Sequence, residues 1–423
     1  MASKPSLPPP QVILSKQEAC RFLLTYHFLL PPRQLAGKDG AIAVMRRLGC
    51  IQYDPVNIVG WNPDLVLQAR LSDYTAQMLD DLLYMDHVFW DGFDKVQSIY
   101  LTTDWPNFTR RRAHHRENPR FPIDEPQRLR PLVLQKIREN GPLSSLDLEN
   151  QTRVDGFWGL PIRAERAAME DLYNMGYLGI HHRVGTRRYF DLVENLLPVT
   201  LVEMPDPFAT YEDYLAWHVV RRIGGLGLAS PRSGEHWPGI LGSKSDGRLT
   251  TMHRLIESGD LLHVMVGDAG ERSLLMRASD MPVLEQALNS SPPAPDVTFL
   301  APLDNLLWHR DMLRWIFDFD YTWEVYLPAD KRRYGHYVLP VLYGEKFIGR
   351  AELAYMRRQN ALVLRGWWWE AGQPASSDIQ AAITAGLGHF IRYLQAERFL
   401  VQGQATLDPV IQQIAGDEIA AWG

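Results

Sequence analysis

Hydrophobic positions recur along this chain with two spacings, the three-to-four-residue spacing of a helix and the two-residue spacing of a strand. The switch from one to the other is itself repeated. In "MRRLGCIQYD" (45–54), "LYNMGYLGIH" (172–181) and "LIESGDLLHV" (255–264), a helix-like ending meets a glycine and then a strand-like run. Gly49, Gly176 and Gly259 fill one slot, the place where a glycine closes a helix in the left-handed conformation. The second and third windows continue as "YLGIHHRVGTRRYFDL" and "LLHVMVGDAGERSLLM", each two strands around a glycine turn.

The residues upstream of the second window extend the pattern. "PLVLQKIREN" predicts a helix that stops at Gly141-Pro142. "SSLDLENQ" predicts a second, capped by Ser144 or Ser145, and "IRAERAAMEDLYNMG" a third with Ala168, Leu172 and Met175 on one stripe. Three helices followed by a hairpin is the order of a winged helix. The first copy opens with a capping box, Ser15 and Glu18, before "EACRFLLTYHFLL". The third copy is loop-rich ahead of its last helix.

After the proline-rich "SSPPAPD" (290–296) the pattern turns to strands: "TWEVYLP", "RYGHYVLPVLY", "KFIGRAELAYM" and "ALVLRGWWWEAG". Ser377 and Gln380 then open a final helix. The expected fold is α+β: tandem winged-helix (helix-turn-helix) domains with a C-terminal antiparallel β-barrel-like domain. The expected boundaries are 12–125 for the first winged helix, 126–200 for the second, 201–290 for the third, and 296–423 for the β-rich domain with its terminal helix.

Composition narrows the class. The 423 residues are 46% hydrophobic and 22% charged, as in a globular protein. No apolar run is long enough for a transmembrane helix, and "MASKPSLPPPQ" has no signal core, so a cytoplasmic protein without membrane attachment is expected. Two cysteines, Cys20 and Cys50, make neither a disulfide framework nor a zinc ribbon, and no His/Cys cluster has metal-ligand spacing. The net charge of −6 argues against a surface coated in base, although local patches stand out at 108–116, 181–188 and 331–337.

One strand carries unusual chemistry. Alternation puts Gln52 and Asp54 on one face of "CIQYD" and Ile51 and Tyr53 on the other. In the third copy the matching slots are Leu262 and Val264. A polar pair in a slot filled elsewhere by aliphatic residues is either a satisfied structural pair, a solvated strand, or a site. Other candidates have bland readings of their own. Lys331, Arg332, Arg333 and Tyr334 sit at a turn that suits phosphate contact and base stacking, or form a solvated tip. Arg187 and Arg188 lie on the second wing. Arg110 to Arg112 read as a helix face, His27 and His389 as core or surface histidines, and "WWWE" (367–370) as packing.

The segments "LGCIQYDPVNIV", "GPLSSLDLEN", "RAERAAMEDLYNMGYLGIHHRVGTRRYFDL" and, above all, the stretch from "APLDNLLWHRDMLRWIF" to "EKFIGRAEL" resemble the bacterial winged-helix DNA glycosylases of the AlkX (YcaQ) and AlkZ type. The resemblance covers nearly the whole chain, and Gln-x-Asp matches the AlkX branch. It implies tandem winged helices with a β-barrel-like domain, no cofactor and no metal. It implies a monofunctional enzyme, a monomer acting on double-stranded DNA with alkylated or crosslinked bases. It assigns catalysis to Gln52 and Asp54 and support to Asn57; beside it, Lys331, Arg332, Arg333, Tyr334, Arg187, Arg188 and Arg310 are the expected DNA contacts. In that chemistry an alkylated purine leaves as a neutral base, Asp54 stabilises the sugar cation and takes a proton from water, and Gln52 orients the water. Two segments depart from the family pattern: where many members have a basic residue and a histidine shortly after the catalytic strand this chain reads "GWNPDLVLQAR", and "FWDGFDKVQ" has only Asp91 and Asp94 where many have Trp-x-His-Glu. Two further readings stay open: a winged-helix regulator, which needs basic side chains on exposed recognition helices, and a family member that binds lesions without cutting.

Overall fold

The structure, a computed structural model, describes residues 7–148, 152–156, 160–267, 271–372 and 376–416. It is a mixed α+β protein of two compact units. One comprises Met1–Leu79, Phe93–Ser98 and Leu215–Gly423, the other Asp80–Gly92 and Ile99–Tyr214.

In the larger unit the expected capping box forms. Ser15 Oγ accepts from the Glu18 amide (3.1 Å), Glu18 Oε2 accepts from the Ser15 amide (2.8 Å), and the helix Lys16–Tyr26 follows. The helix Gly37–Leu48 ends at Gly49, whose φ of 75° releases the chain into the strand Cys50–Gln52. The helix Ser245–Glu257 is followed by Gly259 (φ 81°) and the hairpin Leu261–Val266/Arg272–Arg277. This hairpin gains a strand the sequence pattern did not suggest. Val12–Leu14 pairs parallel to it, Val12 opposite Val264. Phe22, Leu23, Tyr26, Val264, Met276, Leu306, Leu313, Phe319 and Phe347 share one core, so segments far apart in sequence are packed together.

The C-terminal strands form an open five-stranded sheet in the order Val297–Phe299, Val338–Tyr343, Lys346–Met356, Ala361–Trp369, Arg398–Val401. Bulges at Val341/Leu342 and Glu352/Leu353 bend it into a curled half-barrel. The last strand runs parallel to its neighbour, so the sheet is mixed and not antiparallel throughout. The helix Ser377–Leu394 lies against it, with Phe390 edge-on to Phe299. Its cap is Ser376, one residue before the expected Ser377. "TWEVYLP" is not a strand, and "RYGHYVLPVLY" becomes one only at Val338. The reason is Glu324, whose carboxylate takes the backbone amides of Arg333, Tyr334 and Gly335 that a ladder would need.

In the smaller unit the helix Asp124–Asn140 ends at Gly141. The helix Ala164–Met175 ends at Gly176 in the left-handed conformation, and the hairpin Leu178–Val184/Arg187–Leu192 follows. The expected helix at "SSLDLENQ" is absent from residues 144–148, which form turns; 149–151 lie outside the described residues. The Ser144 hydroxyl donates to Asp147 (2.7 Å) in place of capping a helix, while Leu143 bridges to Phe190. A short hairpin, Arg153–Asp155/Pro161–Arg163, leads into the next helix. That helix is buried along nearly its whole length. Asp171 accepts from the Arg120 and Phe121 amides and from Arg130, and Glu170 pairs with Arg188.

Candidate active site

The strand Cys50–Gln52 and the glycine before it are gripped at three carbonyls. Arg221 Nη2 donates to Gly49 O (2.7 Å), Asn305 Nδ2 to Cys50 O (3.0 Å) and Asn62 Nδ2 to Gln52 O (2.7 Å). The next amide, of Tyr53, donates to Gln97 O (2.9 Å). These clamps are themselves buried and braced. Asn62 Oδ1 accepts from the Leu303 amide (3.1 Å). Arg70 and Asp304, both fully buried, pair through two bonds of 2.8 and 2.9 Å. Asp94 receives Arg221, Arg222 and His218. Burial alone would raise its pKa; those three partners hold the carboxyl well below its usual range. Asp94 is therefore a buried anchor and not a second acid, and Asn62 and Arg70 in "GWNPDLVLQAR" are structural as well.

On this mount sit the two expected catalytic residues. Ile51 and Tyr53 are buried while Gln52 and Asp54 are half-buried, as strand alternation requires, although the strand itself ends at Gln52. Gln52 Oε1 is buried and accepts no hydrogen bond from the described residues. Asp54 Oδ1 accepts from the Val56 amide (2.9 Å), and Oδ2 accepts from the Tyr326 hydroxyl (3.3 Å). Burial raises the pKa of Asp54, against the pull of those two donors. An acceptor that is buried and unpaired among the described residues and a carboxylate whose pKa burial raises stand two residues apart. Both are unfavourable for folding alone. Asn57, three residues on, accepts from Arg357 Nη2 (3.1 Å) and lines a hollow with Trp61, Asp64, Tyr355 and Tyr393.

Tyr326 belongs to a loop, 324–335, that also carries Lys331 to Tyr334. Arg332 Nε donates to Leu327 O (2.8 Å), so this guanidinium partly braces the loop. Lys331 and Arg333 are exposed. Tyr334 is half-buried between Arg333 (5.0 Å), Arg350 (4.4 Å) and the edge of Trp368, which leaves little free face for a base. Arg310 is spent inside the protein. Its Nε and Nη1 donate to Leu307 O (3.1 Å) and Tyr321 O (2.6 Å).

In the smaller unit Arg187 is exposed at the hairpin tip, whereas Arg188 is committed to Glu170 and lies over Phe190 (5.1 Å). The run at 110–112 is bracing: Arg110 pairs with Asp206, and buried Arg112 lies 3.8 Å over Trp105. No group of three or more His, Cys, Asp or Glu placed to hold a metal occurs among the described residues. No described helix is long and apolar enough to cross a membrane.

Sequence reasoning missed Tyr326, Asn62, Asn305 and Glu324. For Asn305 and Glu324 the signal available was their setting: an amide and a carboxylate within apolar or aromatic runs, "DNLLW" and "TWEVY", where each needs a buried partner.

A family model described as DNA glycosylase AlkZ-like matches residues 45–390. The solved structure of the DNA glycosylase AlkZ from Streptomyces sahachiroi is similar in fold, with a TM-score of 0.60 at 13% identity. That match covers 92% of this chain and 100% of the other.

Proposed function

The chain belongs to the AlkZ-like DNA glycosylase family, and from that premise we propose that it hydrolyses the N-glycosidic bond of N7- and N3-alkylated purines in duplex DNA, interstrand crosslinks included. An N7- or N3-alkylpurine carries positive charge, so it departs without a general acid. The sugar left behind has oxocarbenium character, which a nearby carboxylate stabilises. Asp54 takes that role and accepts a proton from the attacking water. Gln52 aims the water through its side-chain oxygen. Asn57 supports the loop that follows, and Lys331, Arg333 and Arg187 contact phosphates. The base leaves without strand scission, since water and not an amine is the nucleophile.

One observation carries this reading: a buried Gln52 Oε1 with no partner among the described residues, two residues from a half-buried carboxylate, on a segment clamped at the carbonyls of Gly49, Cys50 and Gln52. The clamps give the positioning that a water-activating pair requires. The helix Ala164–Met175 is buried nearly throughout, which disfavours the regulator reading. The positions that depart from the family pattern hold anchors, Asn62, Arg70 and Asp94, which leaves the pair intact. The three winged helices and the 12–125, 126–200, 201–290 and 296–423 segments belong to this proposal. The test is single-turnover base release from a duplex bearing N7-methylguanine. Abasic product, cut only after alkali, is the expected result; no release at enzyme excess would favour a lesion binder.

A further inference from the structure

Tyr326 is an odd residue for its place. It is 73% exposed, yet its hydroxyl reaches Asp54 Oδ2, 272 positions away in sequence, at 3.3 Å. Its ring is steadied edge-on by Trp323 (5.5 Å, 74°). The loop beneath is fixed at both ends. Glu324 accepts three backbone amides, those of Arg333, Tyr334 and Gly335, and Arg332 ties down the Leu327 carbonyl. An exposed tyrosine held this firmly has little to gain in folding energy from one long hydrogen bond. What it does is give the second oxygen of Asp54 a fixed donor, the first being held by the Val56 amide.

We infer that Tyr326 is a positioning residue of the reaction, its hydroxyl fixing Asp54 Oδ2 in the ionised, correctly aimed form. This rests on the proposed role of Asp54. A hydrogen bond to the charged form favours that form, so the phenol opposes the effect of burial on the carboxylate. The groups facing Asp54 are the Val56 amide on its own loop, Tyr326, and buried Tyr337 at the start of the Val338–Tyr343 strand. Of the two tyrosines, Tyr326 is the one that donates to it.

The experiment is Tyr326→Phe, read as single-turnover base release from N7-methylguanine duplex at saturating enzyme across pH. If the hydroxyl keeps Asp54 ionised, the variant loses roughly 2- to 10-fold more on the acid limb than at the alkaline plateau, the scale of one hydrogen bond. A structural role would instead lower the rate uniformly. A uniform loss, or no loss at any pH, overturns the inference. Asp54→Asn run beside it separates the two readings. If Asp54→Asn is as active as wild type, the proposed role of Asp54 fails. If it is inactive while Tyr326→Phe keeps an unmoved acid limb, only the role of Tyr326 fails. Melting curves for Tyr326→Phe are expected to match wild type, because the side chain is exposed.

Discussion

Asp54→Asn is the decisive substitution. Asparagine has the size of aspartate, and its oxygen accepts the Val56 amide that Asp54 Oδ1 accepts at 2.9 Å. Its amide faces the Tyr326 oxygen, which accepts as well as donates. The local geometry therefore survives and only the charge is removed. Losing a preorganised electrostatic group of this kind costs about two to three orders of magnitude in rate, about 2.7–4 kcal/mol. Stability moves the other way. Burial raises the pKa of Asp54 in the folded protein, so the folded state prefers the neutral acid. That preference is fully present below the unfolded pKa and is lost as pH rises through the folded one. Above the folded pKa the ionised side chain is a burden on folding, and there Asp54→Asn should melt at or slightly above wild type, with the gap closing in acid. The assay is single-turnover release of N7-methylguanine at enzyme excess, beside melting curves at pH 4.5 and 7.5. Base release at the wild-type rate refutes the catalytic assignment. A sharp fall in melting temperature, with rate falling only in proportion to folded protein, makes the pair structural.

Three further outcomes are expected. Lys331→Ala and Arg333→Ala should each weaken binding to damaged and undamaged duplex alike and lower the salt slope by roughly 0.9, read by titration at several salt concentrations; an unchanged slope assigns both to solvent. Asn62→Ala removes the bonds to Gln52 O and from the Leu303 amide, so denaturant unfolding should show a loss of roughly 1–3 kcal/mol and base release should slow while duplex affinity holds. Burial holds His27, His218, His309 and His389 at about 4 and His236 at about 3, so their contribution is present above the ordinary value of 6.5 and lost as pH falls toward 4. Melting temperature should fall across that window with proton uptake on unfolding, and His389→Gln should flatten the curve.

The pattern of apolar positions made the glycine-terminated helices and their following strands legible, because a left-handed cap and a change of period are local features. Gly49, Gly176 and Gly259 all stand between a helix and a strand. What stayed hidden depends on distant partners. Val12–Leu14 becomes a strand only because Leu261–Val266 offers an edge. "TWEVYLP" has a strand's composition, but the Glu324 carboxylate claims three amides nine to eleven residues ahead and turns the segment into a loop. Charge runs were the least legible feature. "FTRRRAHHR" and Arg310 read as candidates for a basic surface, yet Arg110, Arg112 and Arg310 donate to backbone carbonyls, and Arg110 pairs with Asp206 as well. A guanidinium has five donors, and a sequence does not say how many the fold consumes.

This bears on what the long C-terminal stretch does. Its residues are continuous in sequence, but the structure divides them by job. Leu303 and Asn305 reach the strand of Gln52 from behind, one through Asn62 and one directly, while Asp304 neutralises Arg70 between them. Glu324, Tyr326 and Arg332 build the loop that meets Asp54 from the front. A three-residue strand is too short to hold two polar side chains in place by ladder bonds alone. The amide clamps behind it and the tyrosine before it supply the missing constraints. Sequence constraint at such a site should therefore fall as heavily on Asn62, Asn305 and Tyr326 as on Gln52 and Asp54, because a carboxylate free to swing loses the positioning that separates a catalyst from a surface acid.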